Sequence, residues 1–269
     1  MHNLIYTKPS LKADEYHIWY TKPQFCRDVD LLHQYKQLLT KQETEKQQRY
    51  IFEKDRHDAL VTRAFIRDVL SQYMLGDPQD WRFTKGKQGK PEVIEPSLPI
   101  RFNISHTKEL IVCAITLTND IGCDVEYIPR KNDVLAIADR FFSKHETKAL
   151  FGLPEAEQRS RFFDFWTLKE SYIKAWGQGL AIPLSDFSFD IGKSNSAKEN
   201  ANINLRFSSK RKDDCKRWKS WLFYPNQEHR IAVSIRSVTT QIKNDDYKVR
   251  FFETTPLVNY QERAEIILE

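Results

Sequence analysis

The feature that most narrows the fold is a run of regular apolar spacing between Asp55 and Met74. Val61, Phe65, Val69 and Tyr73 recur at every fourth position, Leu60, Ala64 and Leu70 widen the stripe, and Gly76 follows as a stop signal. This predicts an amphipathic helix that must lay one face on a sheet or another helix. A second long helix is predicted around Arg159 to Trp176, preceded by a helix over Val134 to Phe142 and by one opened by the capping box Ser143-Lys144-His145-Glu146. Strand patterns flank these helices. Tyr16 to Tyr20 reads as an early strand and Asp28 to Leu39 as a helix, with Trp81 to Thr84 and Glu92 to Ile94 as short strands further on. Leu110 to Thr118 and Ile121 to Ile128 are apolar runs separated by Asn119 and Asp120, which predicts a hairpin. Phe187 to Asp190, Ile203 to Phe207, Trp218 to Tyr224 and Ile231 to Ser237 follow as strands.

Helix followed by strands therefore occurs twice, which predicts an α+β chain of two comparable lobes. We place them at residues 1–122 and 123–240. Residues 241–269 are left as a C-terminal tail of unassigned role, with one strand-like run from Tyr247 to Glu253. No sequence repeat relates the halves.

With 40% hydrophobic and 29% charged residues, a chain of 269 has enough apolar material for a large core, and disorder is excluded as its general state. The longest apolar stretch, Leu110 to Leu117, is far short of the ~20 residues of a membrane span, and Met1 to Ser10 has no signal-peptide apolar region. A cytoplasmic protein without a membrane partner is expected. Cys26, Cys113, Cys123 and Cys215 are widely spaced and form no zinc or disulfide pattern. The net charge of +5 is concentrated locally, in Arg206 to Lys219. That basic segment fits an anionic partner or a solvated loop equally, and no interleaved aromatic stripe accompanies it, so nucleic-acid binding is not expected.

Chemistry is suggested where acids sit on regular structure. In Gly122-Cys123-Asp124-Val125-Glu126, strand alternation puts Asp124 and Glu126 on one face, about 6.6 Å apart, with the side-chain-free Gly122 beside them. Such a face has room for a hard cation and a phosphate, although an Asp-x-Glu strand is also a common solvated edge. Along the second long helix, Phe165, Leu168, Tyr172 and Trp176 form a core stripe, and Trp166, Glu170, Lys174 and Gly177 form another. Glu170 and Lys174 read either as a surface i,i+4 ion pair or, given Trp166 on the same stripe, as part of a covered face. Phe102-Asn103-Ile104-Ser105-His106 ends a strand with a hydroxyl and an imidazole suited to an oxyanion, and Gly89-Lys90-Pro91 offers a backbone that a flat ligand can approach.

Taken in chain order, Gly89-Lys90-Pro91, Phe102 to His106, Gly122 to Glu126 and Trp166 to Lys174, with Arg140-Phe141-Phe142-Ser143 to Glu146 before the last, these motifs resemble the long, surfactin-synthetase-activating type of phosphopantetheinyl transferase. The resemblance runs from about Lys46 to about Phe189. It implies two similar α+β lobes related by a pseudo-twofold, each a small, mainly antiparallel sheet with packed helices, and coenzyme A in the cleft between them. It implies transfer of 4'-phosphopantetheine from coenzyme A to a serine of an apo acyl or peptidyl carrier protein, with Mg²⁺ as cofactor and release of 3',5'-ADP, by a monomer. Asp124, Glu126 and Glu170 would hold the metal. His106 and Lys174 would contact phosphate, and Lys46, Lys90 and Ser105 the nucleotide end, beside Gly89 and Pro91. Glu170 is the candidate for removing the serine proton, with Lys174 and His106 completing the catalytic set. Where some relatives carry a basic residue for the 3'-phosphate, this chain has Asp58, so Arg56, Arg63 or Lys87 would substitute. The alternative reading is a Mg²⁺-dependent phosphohydrolase, which uses the same acids to direct water at a nucleotide or at coenzyme A.

Overall fold

The computed structural model describes residues 8–268 apart from 75, 86–90, 96–99, 132, 178–181, 193–201 and 239–246. The chain begins with strand β1 (Glu15–Thr21), helices α1 (Val29–Gln37), α2 (Lys41–Gln48) and α3 (Glu53–Ser71), and a ribbon of β2 (Arg82–Lys85) and β3 (Pro91–Glu95). Strands β4 (Arg101–Thr107), β5 (Leu110–Thr116) and β6 (Asp120–Tyr127) come next, then helices α4 (Val134–Phe141), α5 (Lys144–Phe151) and α6 (Glu155–Trp176). The last part is all strand: β7 (Phe187–Ile191), β8 (Ile203–Phe207), β9 (Trp218–Phe223), β10 (His229–Arg236), β11 (Lys248–Thr255) and β12 (Asn259–Arg263). Helix α2 was not foreseen. Its signal is the capping box Thr40 to Glu43, in which each side chain accepts from the other residue's backbone amide.

Two sheets organise the molecule. One has the order β12-β11-β1-β5-β4 and the other β6-β10-β9. The predicted hairpin of Leu110 to Thr118 with Ile121 to Ile128 does not form: β5 and β6 lie in different sheets. Strand β5 already has β1 on one edge and β4 on the other, so β6 has no free edge to pair with. The two sheets instead pack face to face. Tyr16, Ile18, Val112 and Ala114 of the first meet Ile121, Cys123, Val125, Ile231 and Val233 of the second in one apolar cluster. On its other face the first sheet buries Trp19, Cys113, Ile115 and Phe252 under Val61, Phe65 and Val69 of α3. The second carries α6, whose Leu168 and Tyr172 pack with Phe187, Leu222 and Ala232. Helix, sheet, sheet and helix make a layered α+β architecture of two lobes.

The segment left as a tail has a structural place. Strand β11 adds to β1 in parallel, with Ile18 opposite Phe251 and Trp19 opposite Phe252, and β12 folds back on β11. The chain's end thus widens the sheet that its beginning started.

Between the sheets, β4 and β6 run side by side without a backbone ladder. Side chains do that work: Asn103 Oδ1 accepts from the Cys123 amide at 2.8 Å and Ser105 Oγ from the Val125 amide at 3.3 Å. Two buried edge amides that would otherwise cost about 1–3 kcal/mol each are satisfied this way. Asn103 and Ser105 therefore stitch one lobe to the other.

Candidate active site

Gly122 sets the distance between β6 and α6. A Cβ built on it would stand 2.1 Å from Ser171 O and 2.2 Å from Ala175 N, both backbone atoms of the helix. The space beside the two strand acids, expected to admit a cation and phosphate, is at Gly122 filled by α6 itself. The consequence serves the same chemistry, because the close approach brings the Glu170 and Lys174 stripe against Asp124 and Glu126.

Lys174 is not held in the i,i+4 pair of the simplest reading. Its Nζ donates to Asp124 Oδ1 at 2.6 Å and to Ser105 Oγ at 2.9 Å, while Ser105 Oγ donates to the same carboxylate oxygen at 3.1 Å. Burial alone would lower the Lys174 pKa, but Asp124, with Cys123 and Glu170, raises it above the ordinary ammonium value. This side chain stays charged. Trp166 Nε1 donates to Glu126 Oε1 at 3.1 Å, which explains why a large aromatic shares the stripe of Glu170 and Lys174. The face is covered, as its composition suggested.

The acids show the strain of being gathered. Burial pushes Glu126 up to about 7, Asp124 adds to the push, and Arg130, Trp166 and Lys174 oppose it. Burial likewise carries Glu170 to about 7, with Asp124 adding and Lys174 opposing. Asp124 Oδ2 and Glu126 Oε2 are buried acceptors without a hydrogen-bond partner. His106 is lowered by burial and by the Lys174 charge, against a pull from Asp58. Asp58 is itself raised by burial and lines a cavity of about 480 Å³ with Gln24, Arg27, Lys54 and His57.

Ser105, His106, Asp124, Glu126, Glu170 and Lys174 are thus brought together electrostatically or by direct bonds. Among the other candidates, Arg63 is within the field of His106 and lies 3.6 Å from Glu43. Arg56 is turned back onto the carbonyls of Tyr50 and Ile51, at 2.7 and 2.9 Å, and Lys46 is exposed in the last turn of α2. Lys87, Gly89 and Lys90 lie outside the described residues, and Pro91 opens β3.

Sequence reasoning missed three contributors. Arg130 stands 2.9 Å from Glu126, Asn103 supports β6, and Glu146 forms a fully buried ion pair with Lys169 at 2.8 Å. Lys169 also donates to the carbonyls of Leu184 and Phe187, and Glu146 accepts from the Phe189 amide. The Glu146–Lys169 pair is therefore scaffold that ties α5 and α6 to the chain at Leu184, Phe187 and Phe189.

Residues 28–118 match the N-terminal region of 4'-phosphopantetheinyl transferases, and residues 120–234 match the 4'-phosphopantetheinyl transferase superfamily. The 4'-phosphopantetheinyl transferase HetI of Nostoc sp. is 31% identical over 174 residues, which cover 64% of this chain and 73% of that protein. The chain belongs to the 4'-phosphopantetheinyl transferase superfamily. Sfp of Bacillus subtilis is 38% identical over 151 residues, 56% of this transferase and 65% of Sfp, and gsp of Aneurinibacillus migulanus is 40% identical over 149 residues, 54% and 60% of the two chains. The phosphohydrolase alternative finds no support in these relatives.

Whether the transferase's own side chains suit a divalent cation can be judged from their state. Among the described residues, no three His, Cys, Asp or Glu side chains are gathered around one point as they stand. The donor set nevertheless fits a hard cation. It comprises the buried Asp124 and Glu126, each with an orphaned oxygen, and the half-buried Glu170; burial and then the Asp124 charge drive Glu126 and Glu170 up, and an ammonium is already seated on Asp124.

Proposed function

We propose that this transferase moves the 4'-phosphopantetheine arm of coenzyme A onto a serine of an apo carrier protein at the Asp124, Glu126, Glu170 and Lys174 site, with Mg²⁺ held by the three carboxylates. The observation that carries the reading is the concentration of acids on facing β6 and α6 with their charge incompletely balanced. Bound there, Mg²⁺ would neutralise charge on the pyrophosphate. Lys174 already donates to an oxyanion, Asp124, and would hold a pyrophosphate oxygen with the same hydrogens. His106, with its pKa lowered, would present one ring N–H to phosphate without adding charge at neutral pH. Ser105 has its hydroxyl engaged by Lys174, Asp124 and the Val125 amide, so its part at the nucleotide end is to position those groups.

Glu170 takes the proton from the carrier serine. In the metal-free protein its carboxyl sits at about 7 and is largely ionised just above neutrality; a cation bound to it would lower that value, so the base role falls to a carboxylate oxygen left off the metal. Arg63 is the better substitute for the missing basic residue at Asp58, because Arg56 is committed to two backbone carbonyls. The second lobe and the cleft rim receive the carrier. A cytoplasmic monomer completes the reading, to be checked by cell fractionation and light scattering. No helix among the described residues is long and apolar enough to cross a membrane.

The test is a Mg²⁺ titration of Glu170→Gln with a fixed apo-carrier, reading phosphopantetheine incorporation by mass spectrometry. The variant should transfer about 10²–10⁴-fold more slowly at saturating metal, as expected for loss of a general base. Recovery to near the parent rate at high Mg²⁺ would remove the base assignment and leave Glu170 as a ligand only.

A further inference from the structure

Arg130 touches a candidate metal ligand yet has no part in the transfer scheme above. Its backbone is fixed: Arg159 on α6 donates to the carbonyls of Ile128, at 3.0 Å, and of Arg130. Its guanidinium lies at the solvent edge. Nη2 makes its hydrogen bond to Thr107 Oγ1 at 2.7 Å and stands 2.9 Å from Glu126 Oε2, an oxygen left without an aligned hydrogen-bond donor. The contact is therefore Coulombic. Glu126 has a side chain only 11% exposed and is held at its other oxygen by Trp166, whereas the Arg130 side chain is 46% exposed and can swing into water. A buried carboxylate held by Trp166 faces a half-exposed cation at the solvent edge.

We infer that Arg130 is an internal counter-ion which a divalent metal must displace from Glu126, so that metal binding is weak until the pyrophosphate of coenzyme A arrives with it. This rests on the placement of Mg²⁺ proposed above. The charges decide the direction. Asp124, Glu126 and Glu170 against Arg130 and Lys174 leave one net negative charge, and a lone dication would turn the site net positive. The two negative charges of a pyrophosphate diester return it to net negative and give the displaced guanidinium new oxygens to meet. Without Arg130 the site carries two net negative charges, and a dication alone neutralises it.

Calorimetric titration of Mg²⁺ into the parent, Arg130→Met and Arg130→Lys at pH 8.5, where Glu126 and Glu170 are ionised, tests this with and without coenzyme A and with no carrier present. Arg130→Met should bind Mg²⁺ about fivefold more tightly than the parent in the absence of coenzyme A, equivalent to ~1 kcal/mol. The gap should narrow when coenzyme A is present, and Arg130→Lys, which keeps the charge, should stay near the parent. Unchanged or weaker metal binding by an Arg130→Met protein with the parent's circular dichroism would overturn the counter-ion role alone. A parent that binds no Mg²⁺ even with coenzyme A would overturn the metal placement and this inference together.

Discussion

Replacing Gly122 by alanine drives a methyl group into the backbone of α6. The new Cβ would stand 2.1 Å from Ser171 O, 2.2 Å from Ala175 N and 2.8 Å from the Lys174 carbonyl carbon, where ordinary contact is 3.4–4 Å. None of these is the end of a flexible side chain, so no change of rotamer relieves the clash. Gly122 is not among the glycines with positive φ, which leaves the effect purely steric. Helix α6 must move off β6 by on the order of 1 Å, and it carries both Glu170 and Lys174 while burying Leu168 and Tyr172. Overpacking of this kind costs about 1–3 kcal/mol, and at about 2–4 °C per kcal/mol the melting temperature should fall by roughly 2–12 °C. A shift of about 1 Å in positioning groups slows a reaction by about 100-fold, so transfer should fall further than stability does. Thermal unfolding followed by circular dichroism, with carrier modification read by mass spectrometry below the transition, measures both. A Gly122→Ala protein with the parent's melting temperature and transfer rate would refute the argument that this glycine exists for helix contact.

The Glu170 carboxyl sits at about 7 in the folded protein against an ordinary 4.5, so folding favours its protonated form, and ionising it costs stability that is fully lost above about pH 7. Glutamine escapes that cost. In chelator, Glu170→Gln should therefore be more stable than the parent at pH 8, by at most about 3 kcal/mol, and the gap should close towards pH 4.5 in urea unfolding. A gap that does not change with pH would contradict the buried, metal-free carboxylate. Lys169→Met leaves Glu146 and the carbonyls of Leu184 and Phe187 without their buried partner and should lower stability by about 3–5 kcal/mol, read as a fall in the urea midpoint. An unchanged midpoint would show that the pair is not part of the scaffold.

Local chemistry was legible in the chain because it depends on neighbours in sequence. The four-residue recurrence of Val61, Phe65 and Val69 marks α3, the capping box of Ser143 and Glu146 opens α5, and strand alternation assigns Asp124 and Glu126 to one face and Cys123 and Val125 to the other. The ordered motifs were enough to indicate the family before any contact was known. Partnerships between distant residues were another matter. Apolar runs separated by Asn119 and Asp120 look like a hairpin, and only the occupation of both β5 edges by β1 and β4 sends β6 into another sheet. Nothing in the polar stretch after Gln241 says that β11 will lie parallel to β1, since a parallel pairing leaves no turn between its strands to read. The helical spacing of Glu170 and Lys174 suggests a pair with each other, but the close approach allowed by Gly122 gives Lys174 to Asp124, a buried anion on the strand beneath the helix. Spacing along a chain sets which side chains share a face, and the packing of one face on another decides which of them meet.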